Sequence, residues 1–126
     1  MANILIIDDD EEILSFLKER LMYEGFNVLT AIDGKKGMNL FNDNQVDLVI
    51  TDIIMPAKIG FDVIIEMKEI CPDIKIIAIS GMGFGMIETC LKTAKFAGAD
   101  YAFAKPFEIS NLLTAVYKLL KEEKTS

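Results

Sequence analysis

Short apolar runs alternate along the chain with stretches that place apolar residues every three or four positions. The runs Asn3–Ile7, Asn27–Ala31, Leu48–Thr51, Lys75–Ile79 and Tyr101–Ala104 are predicted strands, several rich in Ile and Val as strands covered on both faces should be. Helices fit between them. Ile13, Phe16, Leu17 and Leu21 fall on one helical face, as do Val63, Ile64, Met67, Ile70 and Cys71, and as do Ile87, Cys90, Leu91 and Ala94. The last helix is the clearest, with Ile109, Leu112, Leu113, Val116, Leu119 and Leu120 in register. Gly25 and Gly34 are expected at turns, Pro72 just after a helix, and Gly98 at the end of the fourth helix. Five βα units of this kind predict an α/β fold, doubly wound around a parallel sheet.

Composition narrows this picture. At 126 residues the chain suits one domain, taken as residues 1–121, with 122–126 a polar tail or the start of a linker. The hydrophobic fraction is 52% and the mean hydropathy +0.33, yet no apolar run approaches the roughly 18 residues needed to span a bilayer. With no signal-peptide pattern either, the expected location is cytoplasmic, without membrane contact. A net charge of −7 opposes the attraction to phosphate backbones on which direct nucleic-acid binding rests. The absence of histidine excludes histidine-based hydrolytic triads, histidine-ligated zinc, and any role as a histidine kinase or histidine phosphotransfer protein. Cys71 and Cys90, each within an apolar helical pattern, are expected as buried reduced thiols.

Doubly wound sheets collect functional groups at the carboxyl ends of their strands. The predicted strands deliver Asp8, Asp9 and Asp10 from the first, Asp52 from the third, Ser80 from the fourth and Lys105 from the fifth. Carboxylates brought so close repel one another unless a proton or a cation compensates, and Mg2+ is the natural partner, needing only a couple of carboxylates plus phosphate oxygens. The set suits phosphoryl transfer: Asp52 as nucleophile, Ser80 donating to a phosphoryl oxygen, and Lys105 opposite the metal. Simpler roles exist for some members. Asp10, Glu11 and Glu12 suit the positive end of the first helix; Ser80 alone would read as a cap and Lys105 as a solvated charge. Asp52, set among Leu48–Ile50 and Ile53–Met55, has no such simple explanation.

These residues resemble the receiver (CheY-like) domain of two-component response regulators over nearly the whole chain. Ile4-Leu5-Ile6-Ile7-Asp8-Asp9 resembles its first strand and acidic pair, and Thr51-Asp52-Ile53-Ile54-Met55-Pro56 its phosphoacceptor motif, with Gly60 at a later turn. Ile79-Ser80-Gly81 and Lys105-Pro106-Phe107 resemble the remaining two signatures. The resemblance implies a five-stranded parallel sheet of order 2-1-3-4-5 in a flavodoxin-like three-layer sandwich. It implies that Asp9, Asp52 and the backbone carbonyl of Ile54 ligate Mg2+, that Asp8 acts through a bound water, and that Ser80 and Lys105 bind the phosphoryl group. Asp52 would receive that group from a sensor histidine kinase, a histidine phosphotransfer protein or a small phosphodonor, forming an acyl phosphate that later hydrolyses. The domain would thus catalyse its own phosphorylation and dephosphorylation and control protein–protein interaction with an output partner the sequence does not name. A cis Lys105–Pro106 bond is implied as well.

Two positions depart from the family. Ala102 stands three residues before the lysine, where the family carries an aromatic switch, and Tyr101 and Phe103 should point to the opposite face. The stretch from Ser80 to Lys105 is a few residues long for the family, and Gly81, Gly83 and Gly85 make an altered loop or helix start permissible. A Gly-x-Gly-x-Gly nucleotide loop, a flavin carrier, a haloacid-dehalogenase-type phosphatase with Asp8 as nucleophile, and a pseudo-receiver that never takes phosphate are competing readings. The complete set of Asp8, Asp9, Asp52, Ser80 and Lys105 favours the receiver.

Overall fold

The computed structural model describes residues 2–53, 60–81 and 87–121. In chain order the elements are β1 (Asn3–Ile7), α1 (Glu11–Tyr23), β2 (Asn27–Ala31), α2 (Gly34–Asp43), β3 (Leu48–Asp52), α3 (Gly60–Ile70), β4 (Lys75–Ser80), α4 (Ile87–Ala97), β5 (Tyr101–Ala104) and α5 (Ile109–Leu120). All strand pairs are parallel, in the order β2-β1-β3-β4-β5. The expected doubly wound sheet is therefore present.

Because strand side chains alternate, each central strand feeds two cores. Leu5, Ile7, Val49, Ile76 and Ala78 pack with Met38 and Phe41 of α2, Val63, Ile64 and Met67 of α3, and Ala94 of α4. On the other face, Ile4, Ile6, Ile50, Ile77 and Ile79 meet Leu14, Leu17 and Leu21 of α1 and Leu112, Leu113 and Val116 of α5. This double coverage explains the unbroken apolar runs, and each fully buried Ile or Leu contributes roughly 1.5–3 kcal/mol.

Local chemistry sets the helix ends. Asp10 caps α1 by accepting from the backbone N–H groups of Glu12 and Ile13, and Asp33 caps α2 by accepting from that of Lys36. Gly25 and Gly98 adopt positive φ where the chain leaves α1 and α4.

Some expectations need correction. Leu14, not Phe16, joins Leu17 and Leu21 in the core, because α1 buries a narrower stripe against one sheet face; Phe16 is 47% exposed. Ile70, at the last turn of α3, is 53% exposed, and Cys71, just beyond it, is half-buried rather than buried. Gly34 opens α2 and Gly60 opens α3, so neither lies in a turn. The side chain of Cys90, residues 82–86 with Gly83 and Gly85, and the 122–126 tail lie outside what is described.

At Gly37 helix α2 comes unusually close to β1. A Cβ there would collide with Cδ1 of Ile7 and lie 2.7 Å from its Cγ1, and Ile7 is fully buried. Gly37→Ala gains about 1 kcal/mol of helix propensity but overpacks the core at about 1–3 kcal/mol, so a net loss of about 1 kcal/mol is expected in urea titrations. Ile7→Val, which removes the colliding methyl, should make the double variant more stable than additivity predicts by on the order of 1 kcal/mol. Strict additivity would refute this contact.

Candidate functional site

Three strand ends and one loop build a single cluster at the carboxyl edge of the sheet. Asp8 follows β1; its N–H donates to the Ala31 carbonyl at 3.1 Å and its side chain is fully buried. Its Oδ1 accepts from the Asp10 N–H at 2.9 Å, a local turn that fixes the carboxylate. Asp9 is exposed beside it. Asp52, 4% exposed, is the last residue of β3 and pairs with Ile79, while the following Ile53 N–H donates to the Ile79 carbonyl at 2.9 Å. The buried Thr51 hydroxyl donates to the Asp52 carbonyl at 3.0 Å. Ser80, also buried, ends β4 opposite Ala104, and its carbonyl accepts from the Lys105 N–H at 2.7 Å.

Lys105 closes the cluster. Its Nζ lies 2.9 Å from Asp8 Oδ2 and 3.1 Å from Asp52 Oδ2. The Lys105–Pro106 peptide is cis, as the resemblance implied. The lysine stem runs over Gly81, where an added Cβ would sit 3.1 Å from Lys105 Cδ.

The electrostatics follow from this crowding. Burial pushes the Asp8 carboxyl up to about 6, and the nearby Asp52 charge adds to the rise, while the Asp10 N–H and the Lys105 ammonium pull against it. Lys105 shows the opposite balance: burial favours its neutral form, but Asp8 and Asp52 outweigh it and hold its pKa above the usual lysine value. The two shifts are compatible because one ammonium is shared by two carboxylates, and Asp8 is the more deeply buried partner. The stability Lys105 contributes is therefore complete at neutral pH and lost only as the amine deprotonates above the ordinary lysine range.

Among the described residues, Asp8, Asp9 and Asp52 each offer a carboxylate oxygen, and these oxygens lie within 4.8 Å of one another. Asp8 Oδ2, though in ion-pair contact with Lys105, receives no well-directed hydrogen bond. A buried carboxylate oxygen whose one close partner is a shared ammonium, next to two further carboxylates, fits a hard divalent cation. The structure thus brings together Asp8, Asp9, Asp52 and Lys105, with Ser80 on the same strand edge. Ile54, expected to contribute its carbonyl, lies outside the described residues. Sequence reasoning missed the Asp10 N–H and the Thr51 hydroxyl; the Asp-x-Asp spacing after a strand is the signal for the first.

Ala102 is half-buried and packs on the face shared with Ala78, whereas Tyr101 and Phe103 stack on each other across the opposite face, with ring centroids 6.3 Å apart. The neighbouring aromatics do not occupy the side of residue 102.

Residues 4–117 match the family model described as response regulator receiver domain. The chain belongs to this family. It is a receiver domain of two-component response regulators. It is 36% identical over 121 residues to the transcriptional regulatory protein CpxR of Klebsiella pneumoniae subsp. pneumoniae, covering 96% of this chain and 50% of CpxR. The response regulator SaeR of Staphylococcus aureus is 32% identical over 124 residues, covering 98% of this chain and 53% of SaeR. The receiver thus spans about half the length of these relatives. Among solved structures, a receiver domain protein from Clostridium thermocellum superposes with a TM-score of 0.87 at 33% identity, covering 98% of each chain. The response regulator TrrA from Thermotoga maritima, solved in complex with Mg(2+)-BeF, superposes with a TM-score of 0.82 at 34% identity, covering 94% of this chain and 99% of that one. No helix among the described residues is long and apolar enough to cross a membrane.

Proposed function

We propose that this receiver accepts a phosphoryl group on Asp52 from a sensor histidine kinase or a histidine phosphotransfer protein, with Mg2+ held by Asp9, Asp52 and the Ile54 carbonyl and, through a bound water, by Asp8. The observation that carries this reading is the convergence of three carboxylates, two of which share one lysine ammonium. In the transfer, an Asp52 carboxylate oxygen forms the new O–P bond as the P–N bond of the donor phosphohistidine breaks, and the imidazole nitrogen keeps the electron pair. Lys105, already 3.1 Å from Asp52 Oδ2, neutralises charge on the transferred group, and the Ser80 hydroxyl donates to one of its oxygens. Bound Mg2+ supplies Lewis-acid neutralisation of phosphoryl charge. Hydrolysis of the acyl phosphate by the domain itself returns it to the starting state.

The similarity to a receiver solved with Mg(2+)-BeF supports the metal and the acceptor chemistry. The functional unit is residues 1–121, with 122–126 a tail or linker, in a cytoplasmic signalling protein. Its output is a change in protein–protein interaction, without direct nucleic-acid contact by this domain, whose net charge is −7. Ala102 leaves the signal to reach the output face without the usual aromatic rotamer.

Incubation with phosphoramidate and Mg2+ is expected to add one phosphoryl group, and chelation by EDTA to prevent it. Lys105→Met should slow the transfer by about a hundredfold, the scale set by losing one preorganised charge in a phosphoryl-transfer site. Undiminished labelling in EDTA would refute the metal role.

A further inference from the structure

We propose that the free edge of β2 is a docking site for an extended, apolar and acidic segment of another protein, which adds to the sheet as a sixth strand. The Asn27 N–H donates to the Ala2 carbonyl, and the Ala31 carbonyl accepts from the Asp8 N–H, so residues 27, 29 and 31 turn their peptide groups towards β1. Alternation turns those of Val28 and Thr30 outwards, where, among the described residues, β2 has no neighbouring strand. The strand carries no proline and no charge of its own, two devices that would otherwise block pairing.

Room for alternating side chains lies on both sides of this edge. A groove of about 460 Å³ runs between β2 and α2, lined by Leu40, Asn39 and Lys36. A second, of about 220 Å³, runs between β2 and α1, lined by Leu14, Glu11 and Lys18. Thr30 and the 43%-exposed Ile32 line both. A strand laid along Thr30 would send successive side chains alternately into the two grooves, the arrangement used in strand-addition recognition.

Charge selects the occupant. Lys36, next to exposed Lys35, borders the larger groove, and Lys18 borders the smaller one opposite Glu11. The Asp33 carboxylate beside Lys36 accepts from the Lys36 N–H as the α2 cap. An edge bordered mainly by lysines, on a chain of net charge −7, favours acidic side chains interleaved with apolar ones. A second copy fits poorly, since both chains would bring the same lysine-rich border to the contact and both carry the same net charge.

The test uses the full chain and a capped seven-residue peptide in which valine alternates with glutamate, compared with one in which lysine replaces glutamate. Amide exchange at Val28 and Thr30 is expected to slow about tenfold with the glutamate peptide, with NMR shift changes confined to β2, α1 and α2. Lys36→Glu, which suits the first turn of a helix and leaves the fold intact, should weaken that peptide about threefold and improve binding of the lysine peptide. Equal binding of both peptides, shifts centred elsewhere, or no protection at millimolar peptide would overturn the proposal. Protection of the same amides by raised protein concentration alone would assign the edge to a second copy and also overturn it. No metal or phosphodonor is involved, so failure here leaves the Asp52 reading untouched.

Discussion

Asp52→Asn is expected to reduce phosphoryl incorporation from phosphoramidate and Mg2+ to less than about one hundredth of the unmodified protein's rate. The amide keeps the shape of the carboxylate but has no anionic oxygen to attack phosphorus. It also removes one of the three carboxylates grouped within 4.8 Å and one of the two that share the Lys105 ammonium. Folding should survive, because the backbone around Asp52 is held by strand pairing with Ile79 and by the Ile53 N–H bond, neither of which uses the side chain. A folded but unreactive variant is therefore the expected result. Loss of folding would point instead to a structural role for the carboxylate.

Asp8→Asn should stabilise the metal-free protein at pH 7.5 by on the order of a few kcal/mol, a large fraction of an ordinary domain's stability. The cause is burial, which raises the Asp8 carboxyl from 3.8 to about 6. Between those values the folded protein holds a proton that the unfolded chain has lost, so stability falls as pH rises through this window and stays lower above it. The trend runs against the usual loss of stability in acid. In denaturant titrations without divalent cation, the Asn variant should lack this pH-dependent component. If Mg2+ occupies the site, its addition should recover stability in the unmodified protein and much less in the variant. A destabilised Asn variant with the original pH profile would show that Asp8 is held by the ion pair to Lys105 rather than opposed by burial.

Much of this architecture was legible from pattern alone. Strands covered on both faces wrote continuous Ile and Val runs, and β1, β2 and β5 have the bounds those runs predicted. β3 and β4 each extend one residue further, onto Asp52 and Ser80, because their polar side chains lie at the functional edge while their backbones still pair with Ile79 and Ala104. Periodicity failed where it ignores which part of a helix meets the sheet. Phe16 and Ile70 fit a 3.6-residue stripe yet face outwards, since α1 and α3 bury only a narrow strip. In the site, residues such as Lys105 announced themselves by position after a strand. The Thr51 hydroxyl did not, because its bond to the Asp52 carbonyl depends on local geometry that residue type alone does not reveal, and the Asp10 N–H left only the Asp-x-Asp spacing as its trace. The exposed β2 edge was equally silent, being a property of strand order and groove shape.

The central claim is that Asp52, and not the more deeply buried Asp8, carries the phosphoryl group. Borohydride reduction of the freshly phosphorylated protein converts the acyl phosphate into a stable homoserine residue, which peptide mass spectrometry can place. The modification is predicted at residue 52 alone. Homoserine at residue 8 would contradict the account and make Asp8 the nucleophile of a different phosphoryl-transfer site.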